Sequence, residues 1–160
     1  GAHGWVAPEV VLSGALAVPF DIAPTPELAV LVYDAAIAAG VPPRILAALL
    51  REESGFDPFA FNVNEDGSRD LGIPQLGEIW MADFIYFDNG GVVFDPFNPS
   101  EAIPVAARYL ARLHRAIGTW PGAVAAYNCG LARVRGGRIP ARTRRYVAAI
   151  FETNGDGGAR

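Results

Sequence analysis

The sequence predicts a mainly α-helical domain with one small β-hairpin region. Of its 160 residues, 51% are hydrophobic, which is enough to bury the core of one ordinary domain. Apolar residues recur at helical spacing in several segments, and glycine or proline separates these segments. Between two of them, Asn64, Asp66 and Gly67 lie between short extended pieces, a pattern that indicates a hairpin.

The first two predicted helices are delimited by their flanking residues. Thr25 is the expected cap of a helix over residues 26–39, and Gly40 is its expected stop. A second helix is predicted from the proline pair at 42–43 to about Ser54, because proline is accepted in the first helical turn.

Three further helices are predicted in the second half of the chain. Residues 89–100 are expected to be loop, and Ser100 is the expected cap of a helix that runs to about residue 117. The segment "PGAVAAYNCG" predicts a short helix that ends at Gly130, and "TRRYVAAIFE" predicts a last one.

These elements define one domain over residues 26–153. Residues 1–25 are expected to be an irregular extension that packs on the domain, and residues 154–160 a flexible tail. No apolar run approaches the roughly 18 to 20 residues that a membrane span requires, so a soluble domain is expected.

Charge is distributed unevenly along the chain. The formal net charge is −4, but residues 1–101 carry −12 and residues 102–160 carry +8, with arginine as the only basic residue type. The arginine-rich half could face a polyanion or the carboxylates of a peptide-bearing glycan, or it could be a solvated helix face that pairs with the acidic half. The acidic total argues against nucleic acid as a partner.

The sequence contains no recognisable metal or cofactor site. Two histidines, His3 and His114, and the single Cys129 do not form a set of metal ligands, and no phosphate-binding loop is present. A nucleophilic Cys129 paired with His114 is conceivable, but a buried thiol that packs as a small apolar group is the simpler interpretation. No cofactor and no metal are therefore expected.

Two adjacent glutamates, Glu52 and Glu53, stand at the end of the second predicted helix. Because a helix turns about 100° per residue, Glu53 falls in the middle of the apolar stripe and Glu52 at its edge. Arg44 and Arg51 fall together on the opposite face. The stripe itself consists of Ile45, Leu46, Leu49 and Leu50.

A glutamate that points toward the core is a candidate general acid. Burial disfavours the ionised carboxylate and raises its pKa, and a carboxylic acid protonated near neutral pH is what general acid catalysis needs. A structural glutamate at the edge of the core, bonded to an amide or an arginine, would show the same periodicity. Periodicity alone leaves both interpretations of Glu53 open.

The residues that follow Glu53 resemble the active-site segment of the lysozyme superfamily. The stretch "ESGFDPFAFNVNEDGSRDLGIPQL" is similar to chicken-type lysozymes in its Glu-Ser pair, its Asp-Gly-Ser turn and the position of Asp70, seventeen residues after Glu53. The later segments "FDPFNPSEAIPVAARYLARL", "AVAAYNCGLARV" and "IPARTRRYVAAI" look like the soluble lytic transglycosylase family, including its Ala-Tyr-Asn-Ala-Gly motif. The resemblance covers roughly residues 28–150 and implies an α+β lysozyme-like fold, mainly α, with the hairpin flanking a saccharide groove.

The resemblance also implies roles for individual residues. Glu53 would be the general acid that protonates the glycosidic oxygen and then the base that collects a proton. Ser54 would orient the end of the catalytic helix, the hydroxyl of Tyr127 would hold the catalytic carboxylate, and Tyr146 would pack behind Glu53 or border the groove. The remaining residues implied to bind substrate are Asn62, Gln75 and Asn128.

Asp70 keeps two reactions open. As a second catalytic carboxylate it would support hydrolysis of the muramidase type, since glycosidases commonly use two carboxylates. A lytic transglycosylase needs only Glu53, because the 6-hydroxyl of muramic acid attacks and leaves a 1,6-anhydro end. The Ala-Tyr-Asn element favours the second reaction. Asp70 could also be a turn residue that bonds its own backbone.

The implied substrate is the β-1,4 bond between N-acetylmuramic acid and N-acetylglucosamine in peptidoglycan glycan strands. The expected location is the cell envelope, as a periplasmic, secreted or phage-delivered domain. The expected form is a monomer, alone or within a larger protein or a virion or secretion assembly. A non-catalytic glycan-binding or structural module is the third interpretation, and loss of Glu53 or Tyr127 would be its signature. Three positions depart from the family pattern: Pro74 replaces methionine, Asn62 replaces serine and Cys129 replaces alanine.

Overall fold

The computed structural model confirms a mainly α-helical domain with a small antiparallel sheet. It describes residues 5, 16–78, 81, 90–91 and 93–159, with side chains up to residue 153. The helices are α1 (Pro26–Ala39), α2 (Pro43–Ser54), α3 (Pro99–Ile117), α4 (Trp120–Cys129), α5 (Leu131–Arg135) and α6 (Ala141–Ala159). The strands are β1 (Phe61–Val63), β2 (Arg69–Leu71) and β3 (Leu76–Gly77), adjacent in that order.

The helix ends follow the capping chemistry of the sequence, with one exception. The hydroxyl of Thr25 accepts a hydrogen bond from the backbone N–H of Leu28 at 3.2 Å, and Gly40 closes α1 with a φ of 74°. The cap predicted at Ser100 is wrong. The side chain of Asn98 caps α3 by accepting from the N–H of Ser100 at 3.1 Å, and proline takes the first helical position.

Helix α2 runs through the middle of the core and packs against α1 and α6. Its residues 45–50 are completely buried, which corresponds to about 1.5 to 3 kcal/mol for each large apolar side chain. Because neighbours cover it on more than one side, this helix has no broad solvent face along most of its length. The position of Glu53 at its last turn brings a carboxylate to the margin of the core.

The face of α2 opposite the apolar stripe is also covered. Arg44, predicted to lie with Arg51 on an outer face, is only 6% exposed. Its guanidinium donates to both carboxylate oxygens of Asp21, at 2.5 and 2.9 Å. Ile22 and Ala23 join the core beside this ion pair, and Val18 packs against it. Trp5 also packs against the core, and the rest of the predicted extension lies outside the described residues.

The predicted hairpin is present and carries a third strand. Its register places Asn62 opposite Asp70, and Asp70 opposite Gly77, so these residues form one row across the sheet. Strand β3 has only two residues and shows no alternation in the sequence. Gly72 precedes it at a φ of 75°, where a Cβ would lie 1.9 Å from the carbonyl oxygen of Pro96. Only glycine allows this close approach between the sheet and the loop before α3.

Three further observations concern the helices. Helix α5 is a short element that the sequence analysis does not predict. Helix α6 continues to Ala159 and so includes most of residues 154–160, where the sequence predicts a tail. None of the helices in the described ranges is both long and apolar enough to cross a bilayer.

Candidate active site

A cleft of about 330 Å³ lies between the sheet and the ends of α2 and α4. Ser54, Asn62 and Tyr146 stand behind its lining and bond to the lining or to the turn that carries part of it. The residues predicted from the sequence that line the cleft directly are Glu53, Asp70, Gln75, Tyr127 and Asn128. The fold therefore brings all eight candidate residues to one place.

Glu53 is half-buried as a residue, with a largely desolvated carboxyl group, as the helix geometry predicts, whereas its neighbour Glu52 is exposed. Burial raises the pKa of Glu53 to about 7. A hydrogen bond from Tyr146 opposes this shift by stabilising the ionised form, and the negative charges of Asp70 and Glu52 add to it. The Glu53 carboxyl group is therefore divided between its protonated and ionised forms near neutral pH.

The phenol that bonds to Glu53 belongs to Tyr146 and not to Tyr127. The hydroxyl of Tyr146 donates to Oε2 of Glu53 at 2.5 Å, because the packing of α6 against α2 brings the second turn of α6 beside the glutamate. The hydroxyl of Tyr127 donates instead to the carbonyl of Pro74 at 2.7 Å. The carboxylate contact predicted for Tyr127 is therefore wrong. Burial and the nearby Glu53 hold the pKa of both phenols well above the ordinary value, so both remain donors.

The turn over residues 72–75, of which Gln75 lines the cleft, is held from two sides. Ser54 Oγ, at the end of α2, donates to the carbonyl of Ile73 at 2.7 Å. Tyr127, near the end of α4, donates to the next carbonyl, that of Pro74. Two successive carbonyl groups of the turn are thus bonded to two different helices. Through its bond to Ile73, Ser54 connects the end of α2 to the turn.

Gln75 closes the turn in a left-handed conformation with a φ of 54°. Its side chain is 8% exposed, and Nε2 donates to the carbonyl of Gly72 at 3.0 Å while Oε1 accepts from Nδ2 of Asn62 at 2.6 Å. A non-glycine residue at positive φ is uncommon and is retained where the surroundings fix it. The two amides therefore position each other at the edge of the cleft.

Asn128 and two residues that the sequence analysis did not assign complete the opposite wall. Thr143 is fully buried, and its hydroxyl donates to Oδ1 of Asn128 at 2.6 Å, which leaves the amide nitrogen of Asn128 for the cleft. Tyr109 of α3 lines the cleft and lies against the ring of Tyr127, with centroids 5.5 Å apart. Thr143 lies in the segment "IPARTRRYVAAI", which resembles the family, whereas the sequence around Tyr109 does not distinguish it from an ordinary core aromatic residue.

Asp70 shares the cleft with Glu53. Burial raises the pKa of the Asp70 carboxyl, a hydrogen bond from Asn64 lowers it, and the charge of Asp66 raises it further. Within the hairpin, Asp66 is the carboxylate that bonds the turn backbone, accepting from the N–H of Ser68 at 2.9 Å. Asp66 therefore acts as a turn aspartate in this hairpin.

Cys129 and His114 do not form a nucleophilic pair. His114 stacks on Trp120 at the beginning of α4, with ring centroids 3.7 Å apart, whereas Cys129 is the last residue of the same helix. Ten helical residues separate the two ends by about 15 Å. Burial raises the pKa of the Cys129 thiol. Among the residues described, no group of three or more His, Cys, Asp or Glu side chains is arranged to hold a metal ion.

The helical domain, the small sheet and the buried glutamate over the cleft define a lysozyme-like fold. Two solved structures share it. An inactive mutant of the lytic transglycosylase Slt from Pseudomonas aeruginosa matches with a TM-score of 0.70 and 24% identity, over 88% of this chain and 25% of that one. The soluble lytic transglycosylase SLT70 from Escherichia coli matches with a TM-score of 0.64 and 22% identity, over 75% of this chain and 22% of that one.

The chain belongs to the transglycosylase SLT domain family, whose sequence profile matches residues 31–144. This confirms the resemblance that the sequence motifs indicate. Protein IpgF of Shigella sonnei is 32% identical over 93 residues, and that of Shigella flexneri is 31% identical over the same length. The matched segment covers 56% of this chain and 59% of each relative, so the chain spans about three fifths of these curated proteins.

Proposed function

We propose that this domain is a lytic transglycosylase of the cell envelope that cleaves the β-1,4 bond between N-acetylmuramic acid and N-acetylglucosamine in peptidoglycan. Family membership supports the reaction class. The observation that carries the proposal is the state of Glu53, a buried carboxyl group with a pKa of about 7 that lines the cleft and accepts a hydrogen bond from Tyr146. A general acid that must also act as a base works best with a pKa near the working pH.

Glu53 begins the proposed reaction in its protonated form. Its proton passes to the glycosidic oxygen as the bond between that oxygen and C1 of the muramic acid breaks. The 6-hydroxyl oxygen of the same sugar then bonds to C1, and its proton returns to the Glu53 carboxylate. The products are a free 4-hydroxyl on one fragment and a 1,6-anhydro end on the other. No water is consumed, and Glu53 is protonated again.

The surrounding side chains support this cycle. The Tyr146 hydroxyl holds the Glu53 carboxyl group in one orientation and stabilises its ionised form after the first proton transfer. Gln75 and Asn128, which both line the cleft, offer amide groups to the N-acetyl groups and hydroxyls of the glycan. Each amide is itself held by a second side chain, Asn62 or Thr143, so both are pre-oriented before substrate binds.

Hydrolysis is the second candidate, and Asp70 is the observation that favours it. Asp70 lines the same cleft, and its charge raises the pKa of Glu53, so the two carboxyl groups interact. In this reaction a water oxygen attacks C1 and leaves a reducing end. A non-catalytic glycan-binding module would use the same cleft and release no fragments.

The three functions are distinguished by digesting purified peptidoglycan in water enriched in ¹⁸O and analysing the soluble fragments by mass spectrometry. The proposed reaction yields 1,6-anhydro-muramic ends without ¹⁸O. Reducing ends labelled with ¹⁸O would identify a hydrolase. An absence of fragments from several wall types, with binding retained, would identify a binding module.

The pH dependence provides a separate prediction, because an acid must be protonated to act. The value of kcat/KM should fall as the pH rises through about 7, the pKa of Glu53. The Asp70→Asn variant removes a charge that raises this pKa, so the alkaline limb should move to lower pH. The Tyr146→Phe variant removes the bond that lowers it, so the limb should move to higher pH.

The measurement is a pH profile of kcat/KM on soluble glycan strands, with ¹³C NMR titration of the Glu53 carboxyl as an independent reading of its pKa. Glu52→Gln is the matched control, since Glu52 raises the pKa of Glu53 only through charge and ranks last among the causes. It should shift the limb slightly in the same direction as Asp70→Asn. If the alkaline limb moved in the same direction in Asp70→Asn and Tyr146→Phe, this would contradict the assignment of the limb to Glu53.

A further inference from the structure

Arginine is concentrated in the second half of the chain. Residues 102–151 contain nine arginines and no aspartate or glutamate. Four of them are exposed on α5, the segment after it and the first turn of α6, and we refer to them as the arginine surface. The arginine surface consists of Arg133, Arg135, Arg138 and Arg142. In the part of the chain that the structure describes, the ion pairs Arg44–Asp21 and Arg69–Glu78 include none of these four.

Bonds within the fold place this surface at one end of the cleft. Asn128 and Gly130 line the cleft, and α5 begins at the residue after Gly130. Arg142 directly precedes Thr143, whose hydroxyl donates to Asn128. The charges of Arg133 and Arg142 both reach the thiol of Cys129, the residue between Asn128 and Gly130, and favour its ionised form. Arg133 and Arg142 therefore lie on the two segments that adjoin the Asn128–Gly130 margin.

Carboxyl groups, and no arginine, are among the lining residues described for the cleft. Asp70 lies on the sheet, Glu53 is divided between its protonated and ionised forms near neutral pH, and Glu78 is paired with Arg69. A neutral glycan would not respond to these charges. An acidic group attached to the glycan would be repelled by Asp70 and attracted toward the arginine surface.

We propose that Arg133 and Arg142 bind the carboxylates of the acidic peptide that peptidoglycan carries on the lactyl group of muramic acid. This inference rests on the proposed function and adds a preference for strands that bear peptides. The planar guanidinium group matches a carboxylate in a two-point contact, which suits arginine to this task better than lysine. Exposed side chains can reach a peptide that projects out of the cleft while the sugars occupy it.

The test compares two preparations of the same glycan strands, one with its peptides and one from which an amidase has removed them. The wild type should cleave the peptide-bearing strands with the higher kcat/KM, and added salt should reduce that advantage. The double variant R133Q/R142Q should lose about fivefold to tenfold in kcat/KM on peptide-bearing strands, as expected for two exposed charged contacts, and should retain its rate on stripped strands. Arg115→Gln is the matched control, because this exposed arginine lies at the end of α3.

Several outcomes would overturn the proposal. An equal loss on both preparations, or no loss on peptide-bearing strands, would show that the arginine surface does not bind the peptides. Equally tight binding of a DNA oligonucleotide, measured by fluorescence anisotropy, would show a general anion site. If the wild type cleaves neither preparation, the proposed function fails. The same anisotropy measurement with labelled strands then tests the arginine surface alone, and equal affinity for both preparations would overturn it.

Discussion

Replacing Glu53 by glutamine should reduce the rate of peptidoglycan cleavage by about a thousandfold, within the range that a positioned general acid contributes. The amide has nearly the shape of the carboxylic acid, and its oxygen can still accept the hydrogen bond from Tyr146. It cannot deliver a proton to the glycosidic oxygen. Affinity for the glycan should therefore be retained while the chemical step is lost. Sedimentation of the protein with insoluble peptidoglycan measures the affinity, and release of soluble fragments measures the chemical step.

Glu52→Gln is the matched control for this result. The two glutamates are adjacent on α2, but Glu52 is exposed and does not line the cleft. Its replacement should leave the rate within about a factor of three, since surface substitutions usually have small effects. Cleavage by Glu53→Gln at the parental rate would refute the assignment of the general acid.

The same substitution should stabilise the fold at alkaline pH. In the unfolded chain Glu53 has its ordinary pKa of 4.5, and in the folded protein burial raises the pKa to about 7. Between these values the folded state retains a proton that the unfolded state releases, so stability falls as the pH rises from 4.5 to 7. The pKa difference corresponds to about 3 kcal/mol, which glutamine should recover because it does not titrate. Sites built for catalysis commonly carry such a cost in stability.

Urea unfolding of the parent and of Glu53→Gln at pH 4 and pH 8 measures this effect. The gain should be near zero at pH 4, where both states of the parent are protonated, and near its full value at pH 8. Glu52→Gln should show little change at either pH, since Glu52 is exposed. An equal gain at both pH values would mean that the effect comes from packing and not from ionisation.

The direction of Glu53 could be predicted from the sequence because it depends only on the regular rotation of one helix. The four residues of the apolar stripe are enough to fix it. The partner of its carboxylate could not be predicted in the same way. Tyr127 and Tyr146 both carry a phenol into the interior, and which of them reaches Glu53 depends on how α4 and α6 cross α2, a long-range property of the packing.

Three other differences between the sequence-based predictions and the structure have physical causes that the sequence pattern alone does not reveal. Asn98 and Ser100 can both cap a helix, and the proline between them decides in favour of Asn98 because it suits the first helical position. Arg44 lies on the polar side of α2 by rotation, but a segment that precedes α1 covers it. Strand β3 is too short to show alternation and exists through its pairing with β2.

The turn at 72–75 connects the part of the proposed site that carries out catalysis with the part that binds substrate. The turn at 72–75 is bonded by Ser54 to the helix that carries Glu53, and by Tyr127 to the helix that carries Asn128. The conformational entropy of Gln75 is therefore lost when the chain folds and not when a glycan arrives, which leaves more of the contact free energy for affinity. Because the acid and the amide stand on one connected frame, movement of this turn would displace both. Substitutions that loosen it should consequently raise KM and lower kcat together.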